Sequence, residues 1–171
     1  GLPMRKIGEN RYRAEVGMYF EDFKVRDIYE HRPGRTITET DNIQFSLLTM
    51  NHHPAHCDSA FAEKTEFGKL LVNSTLTLAI VAGMSVPQIS GQAVANLGWT
   101  DIKLPAPVFP GDTIYAESEI LGLRPSKSRP GQGIVTVRTR GIKQDGTEFM
   151  SFVRSALVHS RETAVQGKAN Y

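Results

Sequence analysis

The run NSTLTLAIVAGM at residues 73–84 decides the fold, because it predicts one helix with no polar face. Asparagine is a preferred N-cap residue, so Asn73 is expected to precede a helix over residues 74–84. Its apolar positions, which leave no polar face of any width, are Leu76, Leu78, Ala79, Ile80, Val81 and Ala82. A helix that is apolar on every side is a buried helix. The rest of the chain is therefore expected to wrap around it.

The second half of the chain predicts strands. Residues 113–123 alternate between two sets of side chains, and residues 133–143 are rich in β-branched side chains. Asp145-Gly146 is typical of a tight hairpin turn, and it precedes a further alternating stretch at residues 148–159. An additional strand is predicted at residues 97–104. Long antiparallel strands after a buried helix predict the α+β class, with the sheet wrapped around that helix.

The first half predicts shorter elements. We divide the chain into an N-terminal arm at residues 1–18, a single domain at 19–160 and a C-terminal tail at 161–171. Within the domain we expect a strand or turn at 19–29, closed by His31-Arg32-Pro33-Gly34, and a brief strand at 35–38. Thr38 or Thr40 should cap a helix over 41–50, in which Ile43, Leu47 and Met50 share one face. A short helical piece is expected at 59–64.

Composition narrows the class of function. Of the 171 residues, 40% are hydrophobic and 22% are charged, which is typical of a soluble globular protein. The formal net charge is only +2 and the basic residues are scattered, so nucleic-acid binding is not expected. No apolar run is long enough to cross a membrane. Cys57 is the only cysteine, which excludes an internal disulfide and fits a reducing cytoplasm.

A histidine-rich stretch, NHHPAHCD at residues 51–58, is the candidate catalytic segment. Pro54 disfavours a helix at His53, so residues 51–55 are expected to form a loop. Imidazole titrates near neutral pH, which makes His56 a candidate general acid or base. The free N–H groups at the start of the following helix could stabilise negative charge on a substrate oxygen. This pairing favours an enzyme that acts on a carbonyl compound or a thioester.

These segments resemble the MaoC-like hot-dog dehydratases, which include the (R)-specific enoyl-CoA hydratases. The family loop has the form D-x-N-P-x-H-x-D and is followed by a helix opened by His-Gly. Here the loop is NHHPAHCD at 51–58, and the helix opens with Asn73-Ser74. The downstream family signature is present as PVFPGD at residues 107–112. The resemblance covers roughly residues 19–160 and implies a hot-dog fold, in which a long antiparallel sheet surrounds a central buried helix.

The resemblance also implies roles for five residues. His56 occupies the position of the catalytic histidine, and Asn51 that of the aspartate which helps to activate water. The backbone N–H of Ser74 is the oxyanion donor, with Asn73 beside it at the substrate. His53 replaces the family's asparagine and is expected at the substrate as well. Because an amide cannot accept a proton as a carboxylate does, Asn51 would position the water while His56 transfers the proton.

The implied activity is reversible addition of water to a short 2-enoyl-CoA, including branched or dicarboxylic substrates of the mesaconyl or itaconyl type. No metal or redox cofactor is required, since coenzyme A arrives as part of the substrate. The family works as a homodimer or a higher homo-oligomer that binds acyl-CoA at the subunit interface. Two other functions stay open: an acyl-CoA thioesterase with Asp58 as its base, and an acyl-CoA-binding protein that has lost catalysis.

Structural interpretations compete for the same residues. Asn51 could cap the end of the preceding helix. His53 could be a second acid or base, a contact to a substrate carboxylate, or an exposed loop residue. His52 and His56 have i, i+4 spacing, but Pro54 between them argues against the helix that would align them on a metal. Cys57 is adjacent to His56, yet neighbouring extended residues point in opposite directions. The segment at 107–112 also fits a structural turn between strands.

Overall fold

The computed structural model describes residues 3–171. The helices in this range are α1 (Glu39–Leu48), α2 (Pro54–Cys57), α3 (Ser59–Ala62), α4 (Ser74–Ser85) and α5 (Gln166–Ala169). Single turns of other helix types occur at Phe20–Asp22, Val86–Ser90 and Arg161–Thr163. Within the described range, no helix has both the length and the apolar character needed to span a bilayer.

The strands form two antiparallel sheets. A hairpin of β1 (Met4–Gly8) and β2 (Arg11–Ala14) makes the smaller sheet, and the larger sheet has the strand order β3-β5-β6-β7-β4. The strands of the larger sheet are β3 (Ile28–Thr36), β4 (Ala93–Lys103), β5 (Thr113–Pro125), β6 (Gln132–Lys143) and β7 (Glu148–His159). The predicted strands at 113–123, 133–143 and 148–159 are therefore confirmed, and the strand predicted at 97–104 begins earlier, at Ala93.

The period-2 pattern places one face of the sheet in the core. In β5 the side chains of Ile114, Ala116 and Ile120 are buried, whereas Glu117 and Glu119 on the other face are partly exposed. The turn between β6 and β7 is the predicted Asp145-Gly146 hairpin, in which Gly146 has a φ of 87°. This left-handed conformation suits glycine, which has no Cβ to clash.

Helix α4 packs against the inner face of the sheet and begins after the predicted cap, Asn73. It contributes to a core cluster formed by Ile37, Val72, Leu76, Val81, Val108, Ile114, Ala116, Phe149, Met150 and Phe152. The prediction that α4 is buried on every side is wrong, because Ser74, Thr75, Ala79 and Gly83 are exposed along one stripe. A single curved sheet covers only one side of a helix, and these small residues lie on the other side.

The break predicted at residues 31–34 is also wrong. Strand β3 continues through Pro33 and Gly34, with a shift of register between His31 and Arg35. β3 is an edge strand that pairs only with β5 among the described strands. Proline cannot donate a ladder hydrogen bond, but an edge strand with a bulge tolerates it.

Helix α1 begins after Thr38, whose hydroxyl accepts a hydrogen bond from the Asp41 N–H at 3.1 Å. The predicted apolar face does not face the core, since Leu47 and Met50 are 49% and 79% exposed. The fully buried side chains of α1 are instead Asn42 and Ser46. This helix therefore turns two polar residues inward, and they bear directly on the candidate site.

Part of the predicted N-terminal arm joins the domain through its backbone. Gly17 donates a hydrogen bond to the Pro87 carbonyl at 2.6 Å, and Met18 donates to the Gln88 carbonyl at 3.1 Å. Gly17 has a φ of 86°, and a Cβ at this position would lie 2.6 Å from the Cα of Gly91. The two glycines therefore allow two backbones to touch. Residues 1–2 of the arm lie outside the described residues.

Candidate active site

The histidine segment contains a single turn of helix, α2. Residues 51–55 were predicted as a loop, but Pro54 is the first residue of this helix, a position at which its missing N–H costs nothing. The His53 side chain caps the helix, because its Nδ1 accepts a hydrogen bond from the Ala55 N–H at 3.0 Å. His56 lies in the same turn and is half-buried.

His56 is held in one tautomer. Its Nδ1 lies 2.7 Å from the carbonyl oxygen of Leu71. A carbonyl oxygen can only accept, so Nδ1 carries the proton and donates it to this hydrogen bond. The lone pair of the neutral ring is therefore on Nε2, which makes no hydrogen bond within residues 3–171. A neutral imidazole in this tautomer can accept a proton at Nε2.

The start of α4 lies three residues beyond Leu71. The Asn73 side-chain oxygen accepts hydrogen bonds from the Thr75 N–H at 3.0 Å and the Thr75 hydroxyl at 2.6 Å. The Ser74 N–H has no hydrogen-bond partner in the described part of the chain. As the first N–H of a twelve-residue helix, it points toward the positive end of the helix dipole. It is a suitable donor for a developing oxyanion.

A cavity of about 350 Å³ adjoins this helix start. Ser74 and Thr77 are its polar lining residues, and the other lining residues are Phe67, Leu71, Val72, Leu104, Pro105, Ala106, Pro107, Val108 and Phe149. Leu71 thus lines the cavity and contributes its carbonyl oxygen to His56. The Ser74 N–H and the His56 ring are fixed to the two ends of one four-residue stretch, 71–74.

Two other predicted site residues, Asn73 and Asn51, do not line the cavity. The Asn73 side chain, which the family resemblance placed at the substrate, is 1% exposed and is occupied by Thr75 and Ser46. Burial keeps this side chain out of the cavity. Its hydrogen bond with the Thr75 N–H instead holds the start of α4. Asn51 does not line the cavity either, and its side-chain oxygen accepts a hydrogen bond from the His53 N–H at 3.3 Å.

His53 lies beside His56, with the two ring centroids 5.9 Å apart. Since the Nδ1 of His53 accepts a hydrogen bond, its neutral ring carries the proton on Nε2. The two neighbouring histidines therefore present opposite groups, a donor on His53 and an acceptor on His56. His52 is exposed.

Three other interpretations concern a metal, the Cys57 thiol and Asp58. Among residues 3–171, no three His, Cys, Asp or Glu side chains cluster in a way that could hold a metal ion. The Cys57 Sγ lies 3.5 Å from the His53 carbonyl oxygen. Asp58, the candidate base of a thioesterase, caps α3 by accepting a hydrogen bond from the Phe61 N–H at 3.0 Å.

The segment at 107–112 forms a turn that supports one wall of the cavity. Asp112 accepts hydrogen bonds from the Phe109 N–H at 2.9 Å and the Gln144 amide at 3.0 Å, and pairs with Lys143 at 2.9 Å. Burial alone would raise the pKa of Asp112, but these hydrogen bonds and the nearby ammonium together hold that pKa below its usual value. Lys143 also donates to the Pro107 carbonyl. The structural interpretation of this signature is confirmed.

Sequence reasoning missed one residue of this region, Asn42. Its side chain is fully buried and forms hydrogen bonds with both the His56 segment and the start of α4. The signal was present as two polar residues four positions apart, Asn42 and Ser46, which share a face of α1. The apolar residues beside them suggested that the opposite face was buried.

Known proteins match this chain over most of its length. The family model for mesaconyl-CoA hydratase matches residues 4–170. The mesaconyl-CoA hydratase of Cereibacter sphaeroides is 34% identical over 157 residues, which cover 92% of this chain and 46% of the relative. A MaoC-like dehydratase from Rhodospirillum rubrum superimposes with a TM-score of 0.75 at 26% identity, covering 85% of this chain and 99% of that structure.

A Mycobacterium tuberculosis protein with a double hotdog fold superimposes with a TM-score of 0.79 at 22% identity, covering 86% of this chain and 46% of that one. The predicted hot-dog fold is confirmed. This chain spans about half the length of the curated relatives that it matches over most of its own length. The match over residues 4–170 and the MaoC-like fold lead to one conclusion: the chain belongs to the mesaconyl-CoA hydratase family.

Proposed function

We propose that this chain is an enoyl-CoA hydratase that adds water reversibly to a short, methyl-branched, dicarboxylic 2-enoyl-CoA of the mesaconyl-CoA type. One observation carries the proposal: within residues 3–171 the Ser74 N–H and the His56 Nε2 have no hydrogen-bond partner, Ser74 lines an apolar cavity, and His56 is bonded to Leu71 of the same lining. The family model and the Cereibacter relative support the substrate class.

In the proposed reaction, a water oxygen bonds to the β-carbon of the enoyl thioester while His56 Nε2 takes one of the water protons. The electron pair of the double bond shifts to the bond between the α-carbon and the carbonyl carbon, and the carbonyl pair moves to the oxygen, where the Ser74 N–H stabilises the negative charge of this enolate. The His56 imidazolium then returns the proton to the α-carbon. One base is sufficient for this sequence, because the proton that it takes is the proton that it gives back.

Asn51 and His53 supply hydrogen-bond donors beside this base. The side-chain oxygen of Asn51 accepts one hydrogen bond, and we assign its N–H₂ group, which has no partner among residues 3–171, to hold the water. No charged side chain of the described residues lines the cavity, and a second substrate carboxylate therefore needs a donor at its edge. We assign this contact to the Nε2–H of His53.

The cavity favours a short acyl group. Its volume of about 350 Å³ is near the lower end of the range for ligand pockets, roughly 300–1,000 Å³. The proposed steps require no metal or redox cofactor, since coenzyme A enters with the substrate. Cys57 is the only thiol of the chain, and we place the reaction in the reducing cytoplasm.

We further propose that the protein is a homodimer joined along β4. This strand is an edge of the sheet and exposes large apolar side chains, among them Leu97 at 52% and Ile102 at 47%. A long apolar edge is a template for pairing with another strand. The second copy would also bury the exposed stripe of α4 and the exposed end of α1.

The hydratase proposal is tested with purified protein and a panel of mesaconyl-, itaconyl- and crotonyl-CoA, by loss of the enoyl absorbance and by product mass. We expect hydration, and a decrease in kcat of about two to four decades for His56→Ala, as is usual for the loss of an acid–base group. His52→Ala is the matched control, because it removes an exposed neighbouring imidazole. Hydration at the full rate by His56→Ala would contradict the assignment.

One observation favours a second function. Position 51 carries an amide where the related hydratases are expected to have a carboxylate, so catalysis could be lost while binding is retained. Isothermal titration with crotonyl-CoA distinguishes the two. Micromolar binding with no turnover of any substrate would assign the chain as an acyl-CoA-binding protein.

A further inference from the structure

Asn42 joins three backbone groups that come from two separate segments, the turn of α2 and residues 71–73. Its side-chain nitrogen donates hydrogen bonds to the carbonyl oxygens of His56 and Leu71, both at 3.0 Å. Its side-chain oxygen accepts a hydrogen bond from the Asn73 N–H at 2.9 Å. Both N–H groups and the carbonyl group of the amide are thus in use. Asn42 is 0% exposed, so water does not compete for these bonds.

The bond to Leu71 acts on the tautomer of His56. The Leu71 carbonyl oxygen accepts from two donors, the Nδ1–H of His56 at 2.7 Å and the amide of Asn42 at 3.0 Å. A carbonyl oxygen has two lone pairs, so these donors occupy both of them. Asn42 thereby fixes the direction of the oxygen that selects the Nδ1–H form of His56.

The bond to Asn73 acts on the oxyanion donor. By holding the Asn73 N–H, Asn42 fixes the residue that precedes Ser74 and caps α4. The bond to the His56 carbonyl oxygen meanwhile fixes the turn of α2 that carries the imidazole. One side chain therefore sets the position of both groups that the reaction needs.

We propose that Asn42 is a positioning residue that holds the His56 base and the Ser74 N–H in one frame. This rests on the proposed function, in which these two groups act on the substrate. Loss of the amide frees the Leu71 carbonyl to turn. His56 then divides its population between two tautomers, of which one has its lone pair on the nitrogen away from the water.

The test measures kcat, KM and the ¹⁵N NMR signals of the histidine rings in the wild type, Asn42→Leu and Asn42→Ser. We expect kcat to fall about 10- to 100-fold with KM within threefold, because small displacements of a catalytic group cost this much. In the same variants the His56 signals should change from the Nδ1–H tautomer to a mixture. Thr139→Val is the matched control: it removes a buried hydroxyl in β6 that bonds only Ser118 among the described residues, and Thr139 forms no side-chain hydrogen bond with His56, Leu71 or Asn73.

Wild-type protein in which His56 is the Nε2–H tautomer would overturn the proposal, even if neither variant folds. So would an Asn42→Leu variant with unchanged kcat and unchanged His56 signals. If the wild type hydrates no enoyl-CoA, the proposed function fails. The effect of Asn42 on the His56 tautomer is still decided by the NMR signals.

Discussion

At the scale of single residues, the candidate site depends on which atoms of each side chain are already occupied. His56 is tied through Nδ1 and leaves Nε2 free, whereas Asn51 is tied through its oxygen and leaves its N–H₂ group free. An amide in place of a carboxylate is consistent with a site in which one histidine moves the proton. Asn51 then only donates a hydrogen bond to the water.

Asn51→Asp tests this division of roles. The carboxylate keeps an acceptor for the His53 N–H, so the melting temperature should stay within about 2 °C. The donors are lost, however, and kcat should fall about tenfold, the effect of one hydrogen bond. Asn10→Asp, in the exposed β1–β2 turn, is the control. A rise in kcat would mean that the wild-type site lacks its second base.

We expect His31, a buried histidine, to affect the stability of the fold rather than the chemistry of the site. It is 1% exposed, and its ring nitrogens lie 2.7 Å from Gln88 Oε1 and 2.7 Å from Ser118 Oγ. Burial lowers the pKa of His31, although the hydrogen bond with Gln88 opposes the change. The unfolded chain therefore binds a proton at His31 more readily than the folded protein does.

Stability should consequently fall as the pH is lowered from 7 toward 5, because protonation near the ordinary histidine pKa of about 6.5 favours the unfolded state. For a chain of this size, each kcal/mol lost lowers the melting temperature by about 2–4 °C. His31→Gln should reduce this slope, and the exposed control His52→Gln should not. Part of the slope should remain, because burial also lowers the pKa of His159. An equal slope in His31→Gln and the wild type would contradict the assignment.

At the scale of elements, the contact between the N-terminal segment and the turn after α4 is unusually close. Gly17→Ala should destabilise the fold by at least about 2 kcal/mol, since alanine is strained at positive φ and its Cβ would meet the Gly91 backbone. Gly122→Ala should change stability by less than about 0.5 kcal/mol, because nothing lies within 4 Å of that Cβ position. Thermal or urea unfolding measures both, and equal effects would show that the contact is loose.

The elements also show how far local sequence rules extend. The caps at Thr38 and Asn73, the alternation of β5 and the Asp145-Gly146 turn depend on neighbouring residues, and they were predictable. The bulge of β3 at Pro33 depends on its position at the sheet edge, which no local pattern contains. The burial of Asn42 depends on carbonyl groups from α2 and from residue 71, so its role required the three-dimensional structure. The roles of His56 and of the Ser74 N–H were assigned from the family resemblance, and they stay predictions.

At the scale of the whole molecule, the two edges of the sheet are not equivalent. If β4 joins two copies, Leu97→Asp should shift the mass measured by light scattering from about two chains toward one chain of 18.9 kDa. Ile28→Asp places the same charge on the opposite edge, where Ile28 is 58% exposed, and should leave the dimer intact. Equal dissociation by both variants, or a monomeric wild type, would contradict pairing along β4.

The two roles of Leu71 have a consequence for the choice between substrates. Leu71 lines the cavity while its carbonyl oxygen holds the His56 ring. An acyl group too large for the cavity would push this residue aside and turn the carbonyl away from the imidazole. Such a compound would occupy the site without being hydrated. Oversized thioesters should therefore behave as competitive inhibitors rather than as slow substrates, and acyl-chain length would be discriminated at the chemical step.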